Sequence, residues 1–280
     1  MVNEKLLNDL YEYIENKKEE IIKIGRMKEK LTLIKVGGKI VEEEATLNQL
    51  LSDFSAIEGY KVLVHGGGRS ATKLAAQLGI ESKMVNGRRI TDAETLKVVT
   101  MVYGGLVNKN IVAGLQAKGM NAMGFTGADM NVIRSVKRPV KDVDYGFVGD
   151  VIAVNGNHIR MLLDNGLTPV IAPITFSEEG WLLNTNADTI ASETAKSLAP
   201  DVQLTFCFEK AGVLSNPDDE SSLIARIIPE SYTQLKADGI ISGGMIPKID
   251  NAFSALQEGV QTVRITHANN ILGGTIIELI

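Results

Sequence analysis

Short apolar runs that stop at glycine clusters constrain this chain more than any other feature. Residues 31–36 are apolar apart from Thr32 and Lys35 and end in Gly37-Gly38. Residues 61–64 stop in the same way, at His65-Gly66-Gly67-Gly68. Helical periodicity fills the intervals. Residues 47–57, 70–78, 92–118, 158–165, 188–198, 230–238 and 247–258 read as helices, and residues 121–124, 168–174, 181–183, 202–208 and 261–265 as strands. Hairpins are expected within residues 131–153, around Pro139 and Gly146. Strands alternating with helices predict an α/β fold, an open and mostly parallel sheet sandwiched between helices. Such sheets bind ligands beyond the carboxyl ends of their strands, which is where the glycine clusters fall.

A chain of 280 residues with 44% hydrophobic and 22% charged residues can bury a core without covalent staples. Its net charge of −5 argues against nucleic acid or an anionic membrane as the main partner. An anionic ligand must then be held by a few local cations. Cys207 is the only cysteine and sits in an apolar run, so it is expected to be a core thiol in a reducing, cytoplasmic setting. No uninterrupted apolar run reaches the ~18 residues of a membrane span, and the charged N-terminal residues do not resemble a signal peptide. Within residues 1–30, Leu7, Leu10, Tyr11 and Ile14 follow i, i+3, i+4, i+7 and predict an amphipathic helix. Such a helix either packs on its own domain or serves as an oligomerisation or regulatory arm.

A third glycine pair, Gly243-Gly244, precedes a predicted helix. Glycine lets backbone N–H groups approach an anion closely, and helix N-termini add partial positive charge. Three such turns in one chain suggest several anionic groups bound together. No G-x-x-x-x-G-K-[ST] and no G-x-G-x-x-G occurs, so P-loop and nicotinamide-binding readings lose ground. Lys35 interrupts an apolar strand, which is costly unless its ammonium reaches solvent or an anion. Lys248 stands five residues after Gly243. Two lysines beside anion-type turns suit phosphoryl transfer, where charge builds on equatorial and leaving oxygens. Arg88 and Arg89 place two guanidiniums in a predicted loop, a natural carboxylate clamp or simply a solvated loop. Asn186 and Asp188 either cap a helix or serve a site. His65 is expected to order its loop. His158 and His267 lack companions at metal-ligand spacing, and no metal site is expected.

In order along the chain, Leu33-Ile34-Lys35-Val36-Gly37-Gly38, Val64-His65-Gly66-Gly67-Gly68, Asn86-Gly87-Arg88-Arg89-Ile90-Thr91, Asn184-Thr185-Asn186-Ala187-Asp188 and Gly243-Gly244-Met245-Ile246-Pro247-Lys248 resemble the acetylglutamate kinases of the amino acid kinase family. The resemblance covers residues 31–280 and implies ATP and Mg²⁺ as cofactors, with an N-acyl-glutamate as acceptor. It implies that Lys35 and Lys248 neutralise the transferring phosphoryl group, and that Asp188 holds them. Gly37 and Gly38 would face the phosphates. Gly67 and Gly68 would contact the acceptor, whose α-carboxylate and amide end Arg89 and Asn184 would grip. Glu209, Lys210 and Gly212, with Gly243 and Gly244, would hold the nucleotide. The product would be an acyl-glutamyl phosphate of arginine biosynthesis. The implied organisation is a helical extension over residues 1–30, an acceptor-binding and dimerising lobe over 31–198 and an ATP-binding lobe over 199–280. The implied assembly is a homodimer, joined into a larger ring by the N-terminal helix. Arg88 stands where the family usually has an apolar residue near the acyl methyl, which suits a longer acyl group with its own carboxylate, such as succinyl. Arg69, directly after Gly68, adds a cation. The Glu209-Lys210 loop departs from the Thr or Ser followed by Asp of many relatives. The alternatives are another kinase of this fold, acting on aspartate, glutamate or carbamate, and a non-catalytic regulator, against which both lysines argue.

Overall fold

The structure, a computed structural model, describes Tyr13, Lys17 and residues 30–85, 87–243 and 245–280. The helix expected over residues 1–30 falls outside the described residues but for Tyr13, Lys17 and Lys30, and so do Asn86 and Gly244. Strand β1 (Leu31–Val36) leads into helices α1 (Gly38–Glu42) and α2 (Glu44–Ala56), then β2 (Tyr60–His65) and α3 (Gly68–Gln77). A small hairpin of β3 (Met84–Val85) and β4 (Arg88–Arg89) precedes the long helix α4 (Ala93–Gln116), whose middle, Thr100–Val107, is π-helical. There follow β5 (Ala122–Phe125), β6 (Ile133–Lys137), β7 (Gly149–Val154), α5 (Gly156–Asp164), β8 (Thr168–Ile171), β9 (Ile174–Phe176), β10 (Leu182–Asn184) and α6 (Ala187–Leu198). The chain ends with β11 (Val202–Phe208), β12 (Arg226–Ile227), α7 (Pro229–Ala237), α8 (Met245–Gln257), β13 (Thr262–His267) and β14 (Thr275–Ile277).

Eight strands form one sheet in the order β12-β14-β13-β11-β1-β2-β8-β5, parallel throughout except where β13 meets β14. The expected open, mostly parallel sheet is therefore present. Residues 31–198 supply β1, β2, β5 and β8, and residues 199–280 supply β11 to β14. A second sheet, β10-β9-β6-β7, is built on the antiparallel pair β6 and β7, as the hairpin signals predicted. The single strand expected over residues 168–174 is two strands in different sheets, parted at Pro173, which has no N–H for a ladder. The short elements α1, β3, β4, β12 and β14 were not expected. They span two to five residues, too few for periodicity to register.

Side-chain parity decides which face each residue serves. Leu31 and Leu33 of β1, Val62 and Val64 of β2 and Leu204 and Phe206 of β11 point to one face, where α5, α6 and α8 pack. Ile34, Val36, Leu63 and Cys207 point to the other, against α2, α3 and α4. Each large aliphatic chain fully buried here contributes about 1.5–3 kcal/mol. Burial pushes the Cys207 thiol up to about 12, leaving it an unreactive core group. By length and composition α4 could cross a membrane, but Val98, Val102, Val107, Ile111 and Leu115 bury one of its faces against this core.

Candidate active site

The β1–β2 register pairs Val36 with His65, and the β1–β11 register pairs Val36 with Cys207. Three strand ends therefore lie side by side, and Gly37-Gly38, Gly66-Gly67-Gly68 and the loop from Glu209 leave them together. A Cβ on Gly38 would lie 3.3 Å from the nitrogen of Gly68, and one on Gly66 would lie 3.0 Å from the nitrogen of Gly38. Only glycine lets these two turns approach so closely. The N–H groups of Gly38, Gly67 and Gly68 find no protein acceptor among the described residues, so they are available to a ligand's oxygens.

Parity puts Lys35 on the face of Leu31 and Leu33, toward α6. Its Nζ lies 2.6 Å from Oδ1 of Asp188, in the first turn of that helix. The approach makes an ion pair but not an aligned hydrogen bond, so Oδ1 has no hydrogen-bond donor among the described residues. Asn186 caps α6 by accepting from the N–H groups of Asp188 and Thr189 at 2.7 and 3.2 Å. The capping role falls to Asn186, which leaves Asp188 to the lysine. Lys248, in the first turns of α8, comes to 3.6 Å from the centroid of Phe208, and Lys35 to 5.2 Å from the same ring. Desolvation lowers the Lys248 pKa, opposed by Asp188 and reinforced by Lys35. Lys248 and Phe208 stand in the wall of a cavity of about 630 Å³, lined also by Gly37, Gly38, Gly68, Glu209, Lys210 and Gly212, and Lys35, paired with Asp188, lies near the same ring.

Glu209 pairs with two other cations of the cavity lining, 3.1 Å from Lys39 and 3.6 Å from Arg69. Lys210 lines the cavity while its ammonium donates to the carbonyl of Pro217 at 3.1 Å. Gly243 holds a left-handed backbone, φ 54°, just before α8, but does not line either cavity of the site.

A smaller adjoining cavity of about 210 Å³ shares Gly68, Met84 and Arg89 with the first and adds Gly66, Gly67, Arg88, Tyr103 and Asn184. The loop expected at Arg88 and Arg89 is strand β4, and alternation separates the two arginines: Arg89 is buried and Arg88 exposed. Arg89 donates to Ser82 Oγ at 2.7 Å, and to the Gly68 carbonyl and Thr72 Oγ1, both at 2.8 Å. It meets no carboxylate among the described residues. Such a buried cation asks for an anionic ligand. Asn184 donates to Thr91 Oγ1 at 2.9 Å. Arg88 makes no ion pair or hydrogen bond among the described residues. The described residues hold no cluster of three or more His, Cys, Asp or Glu suited to a metal ion. Sequence reasoning missed Phe208 and Tyr103, whose aromatic character signals only core, and Lys39, which lies in the short helix α1 that periodicity did not register.

Residues 30–267 match the family model described as the amino acid kinase family. The acetylglutamate kinase of Phocaeicola vulgatus is 72% identical over 251 residues, covering 89% of this chain and 98% of that protein. The acetylglutamate kinase of Bacteroides thetaiotaomicron is 69% identical, covering 88% and 96%. Among solved structures, smu.665 from Streptococcus mutans superposes with a TM-score of 0.73 at 30% identity, covering 89% of this chain and 98% of that one. With a family model matched over residues 30–267 and relatives about 70% identical over most of its length, the chain belongs to the amino acid kinase family.

Proposed function

We propose that the chain transfers the γ-phosphoryl group of ATP to the side-chain carboxylate of an N-acyl-L-glutamate. The observation that carries this reading is Arg89, a buried guanidinium without a carboxylate partner among the described residues, at the junction of two adjoining cavities. The larger cavity, lined by Lys248 and the Gly37-Gly38 turn, with Lys35 near the Phe208 ring of its wall, suits a triphosphate. The smaller, with Arg89, Asn184, Gly67 and Gly68, suits a small carboxylic acid. The names of the relatives support the same acceptor.

The acceptor carboxylate is ionised at neutral pH, so no general base is required. Catalysis rests on positioning and on charge: Lys35 and Lys248 stabilise the oxygens of the transferring group while Asp188 keeps the two ammonium groups together. Mg²⁺ fits as an ion held by the nucleotide's own phosphates, since it binds proteins through one or two carboxylates rather than a full cage. Glu209, Lys210, Gly212, Gly243 and Gly244 are assigned to the nucleotide, residues 31–198 to the acceptor lobe and 199–280 to the ATP lobe. The product would enter arginine biosynthesis.

Arg88 deepens the reading toward the acyl group. It lines the acceptor cavity beside Arg89, and Arg89 and Asn184 already serve the α-carboxylate and amide. A succinyl group carries a carboxylate of its own, to which Arg88 can donate in bidentate fashion. Such a charged contact is worth about 1.5–3 kcal/mol, or about 10- to 150-fold in kcat/KM. Coupled ADP-release assays on acetylglutamate, succinylglutamate, aspartate and carbamate test the whole assignment, and Arg88→Leu tests the acyl group. Turnover of neither acyl-glutamate removes the function, whereas preference for acetylglutamate unaltered by Arg88→Leu removes only the succinyl refinement. A homodimer formed by the acceptor lobe, extended through residues 1–30, is part of the same proposal. Light scattering on the whole chain and on one starting at Lys30 checks it, because equal masses would leave those residues no assembly role.

A further inference from the structure

The face of the sheet opposite the lysines carries a second buried polar group. His65 ends β2 on the same side as Leu63, where α4 packs, and it is fully buried. Its Nδ1 lies 2.8 Å from the carbonyl oxygen of Gly66, and its Nε2 lies 3.1 Å from Nδ2 of Asn108. Asn108 is equally buried. Its Nδ2 also donates to the Val170 carbonyl at 3.0 Å, while its Oδ1 accepts from Lys109 Nζ at 3.0 Å. Turning the amide round would set oxygen against the Val170 carbonyl and NH₂ against an ammonium. The amide orientation is therefore fixed, and it requires Nε2 of His65 to be an acceptor. The proton must then sit on Nδ1, where it is donated to Gly66. Desolvation pulls the His65 pKa down to about 4, with Lys109 pushing the same way, so the ring stays neutral near pH 7.

Asn108 reaches this position because of the π-helical segment. Its N–H bonds to the carbonyl of Tyr103, five residues back. In an α-helix residues five apart are rotated by about 500°, or about 140° from a common direction, so Tyr103 and Asn108 could not serve one surface. The i→i+5 turn brings both to the sheet side. Tyr103 packs so closely on the next glycine that a Cβ on Gly67 would lie 2.8 Å from its Cδ1. Its hydroxyl stands beside Gly68 and Arg89.

We propose that the π-helical turn of α4 is a positioning device for the acceptor side of the site: Asn108 holds His65 in its Nδ1-protonated form, His65 fixes the Gly66 carbonyl, and Tyr103 braces Gly67 and Arg89. His65 and Asn108 are positioning residues; they touch neither phosphoryl donor nor acceptor. With the Gly66 carbonyl held by His65, the N–H groups of Gly67 and Gly68 stay free for the acceptor. The kinetic part of the inference rests on the acyl-glutamate reading above, and the tautomer part does not.

Nitrogen-15 NMR of the three histidines in the whole chain tests the tautomer. The signal lost in His65→Gln should show a neutral ring protonated at Nδ1. Protonation at Nε2 overturns the proposal, even if the wild type turns over no acyl-glutamate. Kinetics then separate positioning from packing. Glutamine offers one donor and one acceptor, so His65→Gln should stay within about 3-fold of wild type. His65→Leu offers neither and should raise the acyl-glutamate KM or lower kcat by about 10-fold, with the ATP KM changed less than about 2-fold. Equal activity of the Leu and Gln variants, or equal losses for both substrates, overturns the role. Should His65→Leu not fold, Asn108→Leu removes the donor on Nε2 and must move the His65 Nε2 resonance toward that of a free acceptor nitrogen, and an unchanged Nε2 signal counts against the proposal.

Discussion

Replacing Lys35 by methionine removes one charge while keeping most of the side-chain volume. The residue is 7% exposed, and its ammonium sits 2.6 Å from Asp188 and 5.2 Å from the centroid of Phe208, which lines the larger cavity. At an effective dielectric of ~20, a unit charge ~4 Å from a phosphoryl oxygen is worth ~4 kcal/mol. Removal of a single oxyanion donor elsewhere costs about 2.7–4 kcal/mol. The expected loss in kcat is therefore about 10²–10³, with a small change in either KM. Stability should fall much less. Asp188 loses its nearest cation, but its side chain is 25% exposed and Lys248 still acts on it, so the loss is about 1 kcal/mol after allowing for solvent. The pair Lys35→Met with Asp188→Asn separates the two effects. The double variant should recover the melting temperature and leave kcat low. ADP-release kinetics and thermal unfolding on the four proteins decide the matter. A single variant within about 3-fold of wild-type kcat refutes the assignment of Lys35, and recovery of kcat in the double variant shows that Lys35 serves only to neutralise Asp188.

Two further outcomes follow from the same geometry. Burial lowers the Lys248 pKa, so its needed charge is lost at lower pH than for an ordinary lysine; kcat should decline on the alkaline side below pH 10.5, and Lys248→Arg, which stays protonated, should move that decline upward, an unmoved profile counting against Lys248. Gly67→Ala would set a methyl 2.8 Å from Tyr103, an overpacking that costs about 1–3 kcal/mol and should raise the acyl-glutamate KM about 10-fold with the ATP KM nearly fixed, whereas equal effects on both would place Gly67 outside the acceptor site.

How much of this was legible before the fold depends on the length scale of each signal. The sheet was legible because β1, β2 and β11 are six or seven residues long, mostly apolar, and β1 and β2 end in glycine turns. Lys35 was legible because a charge inside such a strand needs a reason. Its pairing with Asp188 was implied by resemblance and not by spacing: the two residues are brought together only when parity turns Lys35 toward α6. The double reading of Asn186 and Asp188 is resolved by the two capping bonds that Asn186 accepts. Arg88 and Arg89 passed for a loop because β4 has two residues, too short to display alternation, yet alternation is what makes one arginine buried and the other exposed. The π turn was illegible for a different reason. The apolar residues of α4 keep enough of a helical period to predict a helix, and one residue of slippage near Thr100–Val107 alters the facing of Asn108 without altering composition.

That slippage bears on how the site is assembled. The charges that act on the phosphoryl group hang from one face of the sheet, through β1, α6 and α8. The groups that shape the acceptor side hang from the other, through β2 and α4. The two halves meet where Gly38 and Gly66 approach backbone to backbone: a Cβ on Gly66 would lie 3.0 Å from the nitrogen of Gly38. Alignment of donor and acceptor therefore depends on the register of β1 with β2, fixed by six paired positions from Leu31 with Tyr60 to Val36 with His65, and on the absence of any side chain at the meeting point. A single methyl group on Gly66 would part the turns by a few tenths of an ångström, and displacements of that order are large for in-line transfer between reactants held about 3–3.5 Å apart. The glycine clusters that constrained the fold at the outset are thus also what permits the two faces of the sheet to act on one bond.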